Sequence, residues 1–422
     1  MEAALHSGLH QRLVAEEAES TKTLHLTANE NVLSRTARIH LEGSLYGRYH
    51  LGHPDKRAIK GYGSSFLGLQ LKSLPATHEM EKEACRVTAK LFGATYSDFR
   101  PLSGVHAIIV SLVALTSIED NVYCLKPTDA GHFATADILR RLGRNPRYLP
   151  WDNEAADLDL DRVQELFMNV PPRCIYLDHS TSLFPLRNLR NLRDIVPTEV
   201  PIIYDASHPL GLIAGGAFAN PLLLGADVLQ GSTHKSFPGP QKGLILTNSQ
   251  RAAERLETTM NSFVSSQHSG DTLALYTTML EMEEYGKTYA AQIILNSQAL
   301  GSSLASLGFQ VFAPDKGATC SHQLVLVGFG VDENVLSAQK LLSCGISVNS
   351  KTSLGKPVIR LGVQEQTRRG MKGPEMEQIA VFFRRALKDA EEPGRLRAEV
   401  SAFVAHYQDV HYSFDIDSVE AA

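Results

Sequence analysis

A lysine directly follows a histidine in GSTHKSFPGPQKG, residues 231–243, between two apolar runs and with no carboxylate beside it in the sequence. A lone lysine in such a turn is usually an ordinary surface residue. Held at a strand end, however, a lysine amine can form an imine with a carbonyl compound. Lys235 is therefore a candidate nucleophile if other residues of the right type accompany it.

Two further segments carry such residues. Asp205 follows the apolar run VPIIY and could keep a pyridine nitrogen protonated. The segment PLSGVHA puts Ser103 and Gly104 at the start of a helix, where free N–H groups favour an anion. A lysine amine, a carboxylate and a phosphate-binding turn are what pyridoxal phosphate (PLP) requires. Each segment alone is a weak signal, but together they predict a PLP site.

The elements that must position these residues alternate between helical and strand-like patterns. The predicted strands are the apolar segments 121–125, 147–151, 173–178, 200–207, 226–232 and 242–248. They are too apolar to have a solvated face, which indicates an α/β fold with a largely parallel sheet covered by helices. Ligands bind at the carboxyl ends of such strands, where Asp205 and Lys235 both lie.

The rest of the chain predicts a three-part organisation. Residues 1–23 have the pattern of a polar helical arm, and 24–285 contain the predicted cofactor-binding domain. A long helical tract over 250–308 leads into smaller β and α units, so 286–422 is predicted to be a small C-terminal α/β domain.

Composition excludes several classes of function. Basic residues number 41 and acidic residues 46, a net charge of -5, which argues against binding to nucleic acid or an anionic membrane. No apolar run approaches the roughly 18 to 20 residues that span a bilayer. The five cysteines are scattered and lack metal-ligand spacing, so we expect reduced thiols, a cytoplasmic location and no metal site.

Several segments resemble serine hydroxymethyltransferases, a fold-type-I PLP-dependent family. The lysine and aspartate segments are STHKSFPGPQKGLIL and YDASHPLGLIAGGAFANPL, and further matches are LTANEN (26–31), RYHLGHPDKR (48–57), DAGHFATA (129–136) and VIRLGVQEQTRRGMK (358–372). The resemblance extends from about residue 24 to about residue 385. It implies a large domain with a mostly parallel seven-stranded sheet and a smaller C-terminal α/β domain.

The resemblance also implies roles for the matched residues. Lys235 would carry PLP as an imine, Asp205 would pair with the pyridine nitrogen, and Arg360 would bind the amino-acid carboxylate through its guanidinium fork. The other cofactor-binding candidates are His132 on the ring face, Ser103, Gly104 and Val105 at the phosphate, His179 near the ring oxygen, and His208 and Ser232 beside the cofactor. The other substrate and catalytic candidates are Asn29, Glu30, Tyr49 from a neighbouring subunit of a homodimer, and either His132 or His234 as base.

Taken singly, three of these residues have plainer interpretations. His132 could be an ordinary loop histidine, Asp205 could cap a helix, and Arg360 could pair with a surface carboxylate. The joint pattern favours the functional interpretation of all three.

The chain also departs from the family. Leu51 replaces a glutamate, Gln241 replaces an arginine, and the loop that would meet folate is shortened to 349–357. These departures argue against one-carbon transfer to tetrahydrofolate. The motifs resemble those of L-threonine transaldolases of natural-product pathways. Such enzymes cleave L-threonine to acetaldehyde and add the remaining glycine fragment to an acceptor aldehyde, giving a β-hydroxy-α-amino acid. A threonine aldolase, a hydroxymethyltransferase and a non-catalytic PLP-fold binding protein remain alternatives.

Overall fold

The computed structural model describes residues 2–61 and 63–415. Its helices, in chain order, are α1 (Glu2–Ser20), α2 (Arg35–Glu42), α3 (Pro75–Phe92), α4 (Gly104–Leu115), α5 (Thr135–Arg141), α6 (Leu160–Asn169), α7 (Leu189–Ile195), α8 (Leu210–Ala214), α9 (Gln250–Phe263), α10 (Ser269–Ser306), α11 (Glu333–Ser343), α12 (Gln364–Arg368), α13 (Gly373–Leu387) and α14 (Pro393–Val404).

The strands are β1 (Leu24–His25), β2 (Ala58–Lys60), β3 (Gly63–Phe66), β4 (Leu69–Lys72), β5 (Tyr96–Asp98), β6 (Asn121–Cys124), β7 (Asn145–Tyr148), β8 (Trp151–Asp152), β9 (Asp157–Leu158), β10 (Cys174–Leu177), β11 (Ile202–Asp205), β12 (Val228–Ser232), β13 (Gly243–Thr247), β14 (Gln310–Val311), β15 (Gln323–Val327), β16 (Ile346–Ser347), β17 (Asn349–Ser353) and β18 (Lys356–Gly362).

A seven-stranded sheet lies at the centre of the fold, in the order β5-β13-β12-β11-β10-β6-β7. Strands β7, β6, β10, β11 and β12 pair in parallel, and β13 is antiparallel to both of its neighbours. Strands β10 to β13 are buried along their whole length. The predicted seven-stranded, mostly parallel sheet is confirmed.

Helices cover both faces of this sheet because its strands have apolar side chains on both sides. Ile203, Val228 and Ile245 pack in the cluster that α4 and α9 form on one face. Their chain neighbours Tyr204 and Leu229 point into the larger cluster on the other face. This alternation of side chains from face to face is the period of two that a strand imposes.

Two predicted elements are divided in the structure. The predicted strand 147–151 is split between β7 and β8, because Pro150 has no N–H to continue a ladder. The helical tract 250–308 is two helices, α9 and α10, separated at residues 264–268. His268 ends this break in the left-handed conformation, with φ of 55°.

A four-stranded antiparallel sheet, β14-β15-β18-β17, forms the core of the C-terminal part. The 38-residue helix α10 packs against α13 on this side and against α2, α3 and α8 on the other. The predicted boundary between residues 285 and 286 thus falls inside a continuous helix, and the division into 1–23, 24–285 and 286–422 stays a prediction. Within residues 2–61 and 63–415, no helix is long and apolar enough to cross a membrane.

Candidate active site

The carboxyl ends of the parallel strands meet the start of α4 at one edge of the large sheet. Strand β11 ends at Asp205 and β12 ends at Ser232, and both residues line a cavity of about 250 Å³ together with Gly104. We call this the strand-end cavity. All nine residues predicted to bind the cofactor line it: Lys235, Asp205, His208, His132, Ser103, Gly104, Val105, His179 and Ser232.

A second cavity, of about 590 Å³, lies between this edge and the β17–β18 hairpin. We call it the hairpin cavity, and Asn29 and Arg360 line it. The residues common to the two cavities are His132, Phe133, Ser180, His208, His234 and Lys235. The two cavities are therefore adjacent compartments that share the lysine and three histidines.

Lys235 lies in the turn after β12, at the boundary between the two cavities. Its backbone carbonyl accepts a hydrogen bond from Asn31 Nδ2 at 2.6 Å, which fixes the turn. Burial lowers the pKa of the Lys235 amine to about 8, with the carboxylate of Asp205 opposing this shift and Arg360 adding to it. A lysine with such a pKa supplies a useful fraction of neutral, nucleophilic amine near neutral pH.

Two donors fix the carboxyl group of Asp205. Tyr176 Oη donates to Oδ2 at 2.9 Å, and the backbone N–H of Ser207 donates to Oδ1 at 2.8 Å. Asp205 thus presents a carboxyl group of fixed orientation to the strand-end cavity.

The start of α4 has the form of an anion site. Ser103 is its N-cap, and its hydroxyl accepts from the N–H of His106 at 3.1 Å. The first N–H groups of a helix have no intrahelical partner and carry the positive end of the helix dipole. A Cβ on Gly104 would lie 2.9 Å from the Cβ of Ser232, so only glycine lets the helix approach β12 this closely.

Several buried polar atoms in the strand-end cavity have no partner among the described residues. These atoms are His179 Nε2, Ser232 Oγ and His234 Nδ1. Burial lowers the pKa of His179 to about 3, and burial together with the charge of Lys235 lowers the pKa of His234 to about 4. Burying such groups unsatisfied is costly, which indicates that a polar ligand completes them.

The other two histidines of the cavity are also neutral. Burial lowers the pKa of His132, and it lowers the pKa of His208 well below the usual value. His208 stacks on His322, with ring centroids 5.6 Å apart and planes 14° from parallel. A neutral imidazole can accept a proton at one ring nitrogen and can return that proton afterwards, so these rings can serve in acid–base chemistry.

Arg360 is a buried cation in the hairpin cavity. Its guanidinium donates to Ser180 O at 3.1 Å and Asn349 Oδ1 at 3.2 Å, with Asn29 Oδ1 at 3.5 Å. Among the described residues, its Nε has no partner and no carboxylate lies within 4.0 Å of the guanidinium. Burial lowers its pKa to about 10. A buried guanidinium that has only neutral partners is suited to bind the carboxylate of a ligand.

The structure does not bring every predicted residue into the cavities. Glu30 accepts from Thr27 Oγ1 at 2.5 Å and lines a different, surface pocket with His25. Tyr49 is 53% exposed and lines neither cavity of its own chain. Their substrate roles stay predictions, and that of Tyr49 depends on a second subunit.

Two charged residues of the site were not among those predicted from the sequence. Asp178 ends the apolar segment 173–178, so the strand-end rule that selected Asp205 could have found it. It accepts from the backbone N–H of Leu125 at 2.8 Å and of His132 at 3.0 Å, which positions the loop that carries His132. Burial raises the pKa of Asp178 to about 7. Lys351 on β17 also lines the hairpin cavity, and its segment was interpreted only as a shortened loop.

The residues of the strand-end cavity fit PLP. Lys235 can provide an amine for the cofactor's carbonyl group, and Asp205 can provide a carboxylate for the ring nitrogen. The N–H groups at the start of α4 can bind the phosphate. The unpaired atoms of His179, Ser232 and His234 are further polar groups for the ring substituents and phosphate.

Comparison with known proteins identifies the family. The profile of the serine hydroxymethyltransferase family matches residues 5–383. The chain belongs to this family. Serine hydroxymethyltransferases are PLP-dependent enzymes of fold type I, so the predicted family, fold class and enzyme class are confirmed.

Individual relatives include both transaldolases and hydroxymethyltransferases. The chain is 38% identical to fluorothreonine transaldolase from Streptantibioticus cattleyicolor over 97% of its own length, but it spans only 64% of that relative. It is 36% identical to the serine hydroxymethyltransferase of Methanocella arvoryzae, covering 94% of this chain and 93% of the relative. The crystal structure of L-threonine transaldolase from Pseudomonas fluorescens in the internal aldimine state superposes with a TM-score of 0.90 at 28% identity, covering 100% of this chain and 97% of the other.

Proposed function

We propose that this chain is a PLP-dependent L-threonine transaldolase. It would cleave L-threonine to acetaldehyde and transfer the glycine fragment to a second aldehyde, giving a β-hydroxy-α-amino acid. The observation that carries the proposal is the hairpin cavity: it adjoins Lys235, holds the unpaired cation Arg360, and has no Asp or Glu among its described lining residues. Sequence similarity to one transaldolase and structural similarity to another support the same reaction.

When bound, PLP supplies a carbonyl carbon for an amine and a conjugated ring that takes up the electron pair of a bond broken at Cα. Lys235 would hold the cofactor through its amine. Asp205 would keep a proton on the ring nitrogen, and Ser103 with the free N–H groups of α4 would bind the phosphate.

Arg360 would bind the carboxylate of L-threonine. The free Nε can donate to one carboxylate oxygen, and Nη2 can donate to the other by giving up its 3.5 Å contact with Asn29 Oδ1, while Asn349 and the Ser180 carbonyl hold the guanidinium in place. Fixing the carboxylate restricts how the rest of the amino acid can lie against Lys235, and that restriction is what a selective cleavage of the Cα–Cβ bond needs.

A histidine would move the proton of the threonine hydroxyl. His132 and His234 line both cavities and are neutral at pH 7, so either can take this proton as the Cα–Cβ bond breaks and acetaldehyde leaves. The same group can return the proton to the alkoxide that forms when the second aldehyde is added.

The proposal also covers the oligomeric state of the enzyme, its cellular compartment and its biosynthetic role. A homodimer with shared active sites would bring Tyr49 of one subunit to the cavities of the other, which its exposure in the single chain permits. All five cysteines are free in the structure, which fits a reducing compartment such as the cytoplasm. A β-hydroxy-α-amino acid product fits natural-product biosynthesis.

Incubation of the PLP-loaded protein with L-threonine, with and without phenylacetaldehyde, tests the proposal. We expect a new amino acid whose mass is the sum of the masses of glycine and phenylacetaldehyde. We also expect acetaldehyde release that depends on the added aldehyde. Equal amounts of acetaldehyde and free glycine, with or without phenylacetaldehyde, would instead identify a threonine aldolase. The Lys235→Ala variant is the control and should form neither product.

Hydroxymethyltransferase activity is the second candidate, because one relative of that name matches over nearly its whole length. Against it, Leu51 stands where we expect the family's glutamate. Serine with tetrahydrofolate provides the test. Folate-dependent glycine formation faster than transfer from L-threonine would favour this candidate over the transaldolase.

A further inference from the structure

Lys351 places a second cation beside Arg360 on the β17–β18 hairpin. Asn349 lies opposite Arg360 in the register, and Lys351 lies two residues further along β17, opposite Val358. Alternate residues of a strand share a face, so Asn349, Lys351 and Arg360 all face the hairpin cavity, which each of them lines. Two residues along a strand correspond to about 7 Å, so Lys351 emerges nearer the hairpin turn than Arg360 does.

The Lys351 ammonium has no counterion within residues 2–61 and 63–415. It donates to Thr181 Oγ1 at 3.3 Å, and in the described part of the chain no carboxylate oxygen lies within 4.0 Å of it. Burial and the charge of Arg360 lower the pKa of Lys351 to about 7, while Asp178 opposes this shift. Asp178 is itself occupied by two backbone N–H groups.

The charges of the hairpin cavity are therefore all of one sign. Lys235, Lys351 and Arg360 line it, and no Asp or Glu is among its described lining residues. Placing like charges together in a partly buried space is unfavourable unless anions bind there. Lys235 would bind PLP first and would be released as a free amine when L-threonine takes its place, and the carboxylate of L-threonine would neutralise Arg360. Lys351 is the cation for which neither PLP nor L-threonine provides an anion.

We propose that Lys351 binds an acidic group of the acceptor aldehyde, a carboxylate or a phosphate. The inference rests on the proposed transaldolase function and names the class of its second substrate. The amino-acid carboxylate would occupy the Arg360 end of the hairpin face, and the acceptor would enter with its acidic group toward the hairpin turn and its aldehyde carbon toward Lys235.

Two matched pairs of acceptors test this inference. 4-Carboxybenzaldehyde is compared with its methyl ester, and glycolaldehyde phosphate with glycolaldehyde, each in the presence of L-threonine. For wild type we expect a KM for the acidic member of one pair at least roughly tenfold below that of the neutral member, as one hydrogen-bonded ion pair provides. The pair that shows the preference identifies carboxylate or phosphate.

Three variants assign the preference to its residue. The preference is the KM of the neutral acceptor divided by the KM of the acidic acceptor. In Lys351→Met this ratio should fall to about one, and Lys351→Arg should restore it because the charge is kept. Lys356→Met is the matched control: Lys356 is an exposed lysine of the same hairpin that lines neither cavity, so its ratio should equal that of wild type.

Three results would overturn the inference: a wild type without preference in either pair, a Lys351→Met variant that retains the preference, or a Lys351→Met variant whose KM rises equally for L-threonine. The last would mean that both cations bind the amino-acid carboxylate. Calorimetry with the unreactive 4-(hydroxymethyl)benzoate and its methyl ester measures binding without turnover. It separates failure of the anion site from failure of the proposed function, which would appear as no product with any aldehyde.

Discussion

Replacing Arg360 by lysine should weaken the use of L-threonine while keeping the positive charge. The guanidinium can offer two parallel N–H groups to a carboxylate, from the unpaired Nε and from Nη2, whereas an ammonium offers a single point of contact. In Arg360→Lys at least one charge-assisted hydrogen bond is lost, worth about 1.5–3 kcal/mol.

This loss corresponds to a fall in kcat/KM for L-threonine of roughly 10- to 150-fold. The loss should appear mainly in KM, because the carboxylate is bound alike before and during bond cleavage. The Ser180 carbonyl, which accepts from Arg360 at 3.1 Å, also accepts from Gln323 Nε2 at 3.1 Å, so it keeps a partner in the variant.

The assay is the initial rate of acetaldehyde release over a range of L-threonine concentrations at saturating phenylacetaldehyde. L-Threonine methyl ester is the second substrate, since it lacks the carboxylate. Wild type should prefer the acid strongly, and Arg360→Lys should lose most of that preference. A kcat/KM within threefold of wild type, or an undiminished preference for the acid, would refute the assignment of Arg360.

Three further predictions concern other parts of the chain. Borohydride reduction of the PLP-loaded protein should fix the cofactor on the peptide that contains Lys235, and label on another lysine would contradict the site. Burial raises the pKa of Glu81, but bonds from His50 and Arg57 outweigh it and lower that pKa from 4.5 to about 2. This carboxylate should therefore contribute about 3 kcal/mol of stability that is present above pH 4.5 and lost as pH falls toward 2. Urea titration of Glu81→Gln at pH 7 should show that the free energy of unfolding falls by about 3–5 kcal/mol. A fall of less than about 1 kcal/mol would contradict this prediction. Leu51 lines neither cavity of its own chain and would act from the neighbouring subunit, beside Tyr49. Leu51→Glu should raise glycine release relative to transfer because it adds a proton donor, and an unchanged ratio, or the same change in Leu51→Gln, would contradict this explanation.

The large sheet could be predicted from sequence because its strands are buried on both faces. Their sequences are continuous apolar runs, whereas a strand with one solvated face alternates apolar and polar residues. The residues at and just after the ends of these runs are Asp205, Ser232 and Lys235, so they could be selected without knowledge of the fold. The same rule, applied to every strand, would have added Asp178.

The hairpin side of the site could not be predicted in the same way. Lys351 becomes a cavity residue only because β17 pairs with β18 in the register that puts Asn349 opposite Arg360, a pairing that local sequence does not specify. The break between α9 and α10 was missed for a related reason. Residues 264–268 include serine and glutamine, which helices tolerate, and only the left-handed backbone at His268 redirects the chain.

The distribution of ionisable groups gives a physical reason for transfer rather than simple cleavage. A glycine fragment in the hairpin cavity is released as glycine when it is protonated at carbon, and it is transferred when an aldehyde arrives first. The cavity has no carboxyl group among its described lining residues, and the buried imidazole of His234, with a pKa of about 4, is neutral at pH 7 until it takes the proton of the threonine hydroxyl. Two lysines also line this cavity: the pKa of Lys235 is lowered to about 8 and that of Lys351 to about 7, so Lys351 is the stronger acid of the two. An acidic acceptor bound to Lys351 would raise the pKa of that lysine and make it a weaker acid, so the arrival of the acceptor would itself protect the fragment from protonation by Lys351.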